Sequence, residues 1–208
     1  VPPPRRPPEL AAVSAGSIRD WSVALAVVVR RWRHGNDVTA QQLADRIGVD
    51  LRQVQRFEGH EGNPTLDTLI RLAGAMRVRP STLLAALEDE VARRDGREPA
   101  HESRSRQDDV EARAALAAPR APYEGAAPGD GDGDGRAVAS IARSIRQRRN
   151  AREWSQHELA DRAGLSRSKV QSIETQRHAA TLDTLDALAD ALDCGIVELL
   201  DDDRSRKG

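Results

Sequence analysis

The sequence predicts an all-α protein of two five-helix domains joined by a flexible linker. Three observations carry this. Apolar residues recur at helical spacing on both sides of single glycines, as in Leu159, Ala160, Ala163, Leu165, Val170 and Ile173 around Gly164. The same pattern occurs twice: Leu43-Ala44-Asp45-Arg46 returns as Leu159-Ala160-Asp161-Arg162. At that constant offset and without a gap, Gly48 falls on Gly164, Glu58 on Glu174 and Arg33 on Arg149. Thr65-Leu66-Asp67-Thr68-Leu69 likewise falls on Thr181-Leu182-Asp183-Thr184-Leu185. Between the copies lies a stretch rich in Pro, Gly and Asp that shows no sustained period. The expected division is a disordered Pro-rich arm (1–16), a first domain (17–91), a flexible linker (92–135), a second domain (136–200) and a polar tail (201–208).

The helices follow from their boundary residues. In the first copy, Ser17 caps a helix through Trp21, Leu25, Val28 and Trp32, which Gly35-Asn36-Asp37 stops. Thr39 caps the second helix and Asp50 the third, Thr65 caps the fourth, and Pro80-Ser81 opens the fifth. In the second copy Ile141 and Ile145 share one face of the first helix. Ser155 and Glu158 form a capping box for the second, and Gly164 supplies a left-handed turn. Ser166 caps the third helix and Thr181 the fourth, and a short fifth follows from Ile196. A linker of this length spans about 35–40 Å on average. One DNA turn separates half-sites by about 34–36 Å, so the tether permits both domains on one duplex without requiring it.

Composition narrows the function. Aromatic residues make up 2% of the chain, so the cores must be aliphatic. One cysteine, Cys194, permits no internal disulfide, which suits a reducing cytoplasm. The apolar run 23–29 is far shorter than the ~20 residues of a membrane span, so no membrane partner is expected. Asp130-Gly131-Asp132-Gly133-Asp134-Gly135 imitates the start of a calcium loop, but Ile141 occupies the position of the bidentate glutamate. The segment therefore reads as an acidic spacer, and no metal or cofactor is expected. Five dispersed histidines and the absence of a phosphate-cradling glycine loop or nucleophile elbow argue against an enzyme. Net charge is −1, yet the second copy is polarised: its first three helices are basic, and 178–203 holds eight acidic residues and no Lys or Arg.

Two short helices joined by a tight glycine turn form the helix-turn-helix unit, whose second helix can enter a DNA major groove. With the trailing Thr-Leu-Asp-Thr-Leu pattern and the later Leu-Leu pair, both copies resemble the XRE family of phage repressor and Cro-like proteins. The resemblance implies a lambda-repressor-like five-helix fold that binds double-stranded DNA, usually as paired domains. It gives Arg167, Ser168 and Ser172 the base-reading positions, and Gln156, Lys169, Thr175, Gln176 and Arg177 the phosphate contacts. It makes Arg149 with Glu174, and Arg33 with Glu58, structural ion pairs. The first copy departs from this pattern: Ala40 replaces the phosphate-binding glutamine, and Leu51 takes the first base-reading position. Arg52, Gln53, Arg56 and Asn63 remain as possible DNA contacts there, beside a role as a pairing or partner-binding module.

The leading expectation is a cytoplasmic, nucleoid-associated, sequence-specific regulator of transcription, with 166–174 of the second domain as main reader. A homodimer or another protein partner is compatible with it. The alternative is a protein-interaction adaptor, antitoxin-like or structural, that keeps the fold without specific DNA binding.

Overall fold

In the computed structural model of the chain, residues 17–96, 131–176 and 180–200 are described. The expected arm, most of the linker, the tail and Arg177 lie outside them. Helix α1 (Ser17–Gly35) buries Leu25, Val28, Val29 and Trp32 at helical spacing. Helix α2 (Ala40–Ile47) begins at Thr39, whose hydroxyl accepts from the Gln42 N–H while the Gln42 side chain accepts from the Thr39 N–H. That capping box satisfies two donors a bare helix end would leave unpaired. Gly48, at φ 65°, turns the chain into α3 (Leu51–Glu58), capped by Asp50. Helices α4 (Leu66–Ala75) and α5 (Pro80–Arg94) complete the first domain.

The second domain repeats this plan in α6 (Gly131–Ala151), α7 (Gln156–Arg162), α8 (Arg167–Glu174), α9 (Leu182–Ala191) and α10 (Ile196–Leu200). The expected capping box of Ser155 and Glu158 is present, and Ser166 accepts from the Lys169 N–H. Gly164 is left-handed, at φ 64°. Helix α6 starts at Gly131, inside the segment read as a spacer. Ile141 and Ile145 are buried and hold the helix nucleus, and extension from a formed nucleus adds one hydrogen bond per residue. Among the described residues no set of histidine, cysteine or carboxylate groups could hold a metal ion, and Asp130 lies outside them. No described helix is long and apolar enough to cross a membrane.

The two domains are docked as well as tethered. The Leu66 N–H donates to the Ala180 carbonyl at 2.8 Å, and the Leu182 N–H to the Pro64 carbonyl at 2.9 Å. Each bond is the image of the other under the sequence repeat, and Thr65 and Thr181 face one another as an antiparallel bridge. A local two-fold axis therefore passes between these threonines. The packing obeys it: α4 lies on α6, α9 on α1, and α5 on α10. One apolar cluster runs through both domains, from Trp21 to Leu199.

Two interdomain contacts break the symmetry. Thr181 makes no side-chain cap for α9, contrary to expectation, although its hydroxyl meets that of Thr184 at 2.9 Å just as the capping Thr65 meets Thr68. Asn63 of the first domain serves instead: its amide oxygen accepts from the Asp183 N–H and its amide nitrogen donates to the Asp183 carboxylate. Likewise the Glu88 carboxylate accepts from the Val197 N–H in the first turn of α10, at 3.2 Å. An acceptor and a negative charge are both favourable at a helix start.

Candidate nucleic-acid interface

Helix α8 is held from behind and open in front. Val170, Ile173 and Glu174 are buried, whereas Arg167, Ser168 and Lys169 are exposed. Among the described residues no carboxylate lies within ion-pair distance of Arg167 or Lys169. Ser172 is half-buried and its hydroxyl donates to the Lys169 carbonyl, which leaves its oxygen to accept. The Ser168 hydroxyl pairs with that of Ser166. Thr175 and Gln176 follow on an exposed turn, where Thr175 donates to the Gln171 carbonyl and Gln176 takes a positive φ of 59°.

Behind the helix, the Glu174 side chain is 2% exposed and accepts from three donors. Arg149 grips it through Nε at 2.7 Å and Nη2 at 3.2 Å, and also reaches the Trp154 carbonyl. The Gln156 amide supplies the third bond, at 2.8 Å. Gln156 thus braces Glu174 in the free protein. The Arg146 guanidinium donates to the Glu174 carbonyl at the end of the helix. The first domain repeats this lock, with Arg33 on Glu58 and on the Val38 carbonyl, and Arg30 on the Glu58 carbonyl. Ala40 offers no third donor there, and Glu58 is more exposed, at 14%.

The basic front is thinner than the charge along the chain implied. Arg148 turns away to Glu198 at 3.3 Å, and Arg152 donates to the Leu192 carbonyl at 2.6 Å. Arg152 and Arg162 both lie over the Trp154 ring, at 5.6 and 4.0 Å from its centroid. The count along the sequence could not separate guanidinium groups that serve the domain's own packing from those that face outward.

In the first domain, Arg52, Gln53, Arg56 and Asn63 come together around one open groove of about 310 Å³, completed by Asp50, Phe57 and Gly62. Arg52 and Arg56 are exposed and Leu51 is half-buried. Asn63 borders this groove and also bonds to Asp183, so the groove runs up to the domain interface. The interdomain work of Asn63 and Glu88 was not foreseen. Its trace in the sequence is a mismatch between the copies, with Asn63 opposite Ala179.

Burial, and then the nearby Asp186, raises the Asp183 carboxyl above its ordinary range, while the Asn63 bond and the charge of Lys169 pull it down. Burial also raises the Cys194 thiol, which favours its protonated form.

The helix-turn-helix family pattern matches residues 29–83 and again 145–199, together just over half of the chain. The chain belongs to the XRE-type helix-turn-helix family. Among relatives of this family, the control protein C.SmaI of Serratia marcescens is 38% identical over 60 residues, which cover 29% of this chain and 71% of the relative. The cryptic phage CTXphi transcriptional repressor RstR of Vibrio cholerae serotype O1 is 38% identical over 40 residues, 19% of this chain and 36% of that protein. The match therefore spans about a third of the RstR sequence. No solved structure matches the chain. Both halves of this family member carry the helix-turn-helix, as the repeat required.

Proposed function

We propose that the chain is a sequence-specific DNA-binding regulator of transcription and that α8 of the second domain is its main reader. The observation that carries this reading is the open front of α8. Arg167, Ser168 and Lys169 face solvent on a helix whose other side is fixed by Val170, Ile173 and the Arg149–Glu174 pair. A guanidinium at the start of such a helix matches the O6 and N7 acceptors of guanine. Ser168 and Ser172 keep oxygen lone pairs for base donors, and Lys169, Thr175 and Gln176 sit where backbone phosphates would pass. Gln156 gives one amide N–H to Glu174 and keeps the second for a phosphate, so bracing and phosphate contact are compatible. The family relatives named control protein and transcriptional repressor support the regulatory role.

The competing reading is the adaptor that keeps the fold and binds protein. The acidic back of the second domain, where Asp190 and Asp193 are exposed, and the charge-balanced front of the first would be its surfaces. A salt titration of the full chain on mixed duplex DNA separates the two. Phosphate neutralisation releases counterions, so log affinity should fall linearly with log salt, with a slope of about −0.9 per neutralised phosphate. Negligible duplex binding at low salt, or binding without that slope, would favour the adaptor.

A further inference from the structure

We propose that one chain reads a non-palindromic duplex site, α8 on one half and α3 on the other, so that the operator carries two unlike half-sites in fixed order. This rests on the DNA-reading function above. The first support is the pairing itself. A two-fold relation is the arrangement by which paired domains can present equivalent surfaces to one duplex, and here the reciprocal bonds Leu66 to Ala180 and Leu182 to Pro64 build it inside one chain. The faces that a second copy would need for this same pairing are already occupied by the packing of α4 on α6, α9 on α1 and α5 on α10.

The second support is continuity between the two reading faces. The groove of Arg52, Gln53, Arg56 and Asn63 reaches Asp183 through the Asn63 amide. Asp183 in turn lies within the electrostatic reach of Lys169 on α8. Both candidate faces therefore border one interface, as two helices must to enter successive major grooves, about 34–36 Å apart, of one duplex.

The third support is chemical. Related by the repeat, Arg167 stands opposite Leu51, Ser168 opposite Arg52, Lys169 opposite Gln53 and Ser172 opposite Arg56. At the three base-reading positions the second domain offers arginine, serine and serine and the first leucine, arginine and arginine; an arginine fork selects guanine, and a leucine favours the thymine methyl group. A homodimer presents the same face twice and so selects an inverted repeat. This chain presents two different faces, so its site has a direction.

The test is selection of bound sequences from a random duplex library by the full-length chain, followed by the mass of the complex on the enriched duplex. The expected result is one enriched site with two unlike halves one turn apart and one chain bound per duplex. Repeating the selection with Arg167→Ala should relax one half by about tenfold in base discrimination, and with Arg52→Ala the other half alone. An inverted repeat occupied by two chains would overturn the inference while leaving DNA reading intact. So would a single half-site unaffected by Arg52→Ala. No enriched sequence at all would overturn the reading on which the inference rests.

Discussion

Glu174 shows how one side chain can decide the fate of a reading helix. Its carboxylate is all but sealed from solvent, and Arg149 and Gln156 satisfy it. Removing it leaves the Arg149 guanidinium, itself 12% exposed, without its counter-charge. Glu174→Ala should therefore cost about 3–5 kcal/mol in urea unfolding of the full chain. Glu58→Ala should cost less, because that pair is wetter and has no third donor. Equal losses would show that burial does not set the strength of the lock. Both pairs were expected from the family resemblance, and the repeat carried the expectation from one copy to the other. The bracing by Gln156 was not, because its side chain could equally have pointed outward. Asp183 supplies a pH signature. Its carboxyl is raised by burial, so the folded state favours the protonated form. Its contribution is complete below the ordinary value of 3.8 and is lost as pH rises through the raised value. Asp183→Asn keeps an acceptor for Asn63 without the charge. The variant should match the parent in acid and exceed its stability at neutral pH. A loss at neutral pH would mean that the charge is needed there.

At the scale of elements, the loop from α3 to α4 matters most, because it joins the first reading helix to the interface. Gly62 lies under Phe57: a Cβ added there would meet the Phe57 ring at 2.3 Å and its Cα at 3.1 Å. The ring is pinned in the core, so the clash cannot be relieved by a flexible tip. Gly62→Ala should cost about 1–3 kcal/mol by overpacking. It should also disturb Asn63 and Pro64, and with them the contacts to α9. Unchanged thermal unfolding would show that the loop yields freely. The helix starts at Thr39, Asp50, Ser155 and Ser166 could be read from the chain because capping is local chemistry. The missing cap at Thr181 could not, since its substitute arrives from 120 positions away.

For the whole molecule, the repeat declared two domains but not their docking. Pro64, Thr65 and Leu66 look like an ordinary loop and helix start until they are placed against Ala180, Thr181 and Leu182. Apolar residues on α1, α4 and α5 serve both the domain's own core and the neighbour, and periodicity cannot divide them between the two. Docking leaves the front of α8 uncovered, so the pairing and a DNA-facing surface coexist in one chain. The most direct measurement of the central claim is the affinity of Arg167→Ala, beside the parent, for the enriched duplex and for each single-base variant of it. Loss of about 1–3 kcal/mol on the enriched duplex, with preference relaxed at one base pair and the fold intact by circular dichroism, is the predicted result. Unchanged affinity and unchanged base preference would contradict the assignment of α8 as the reader.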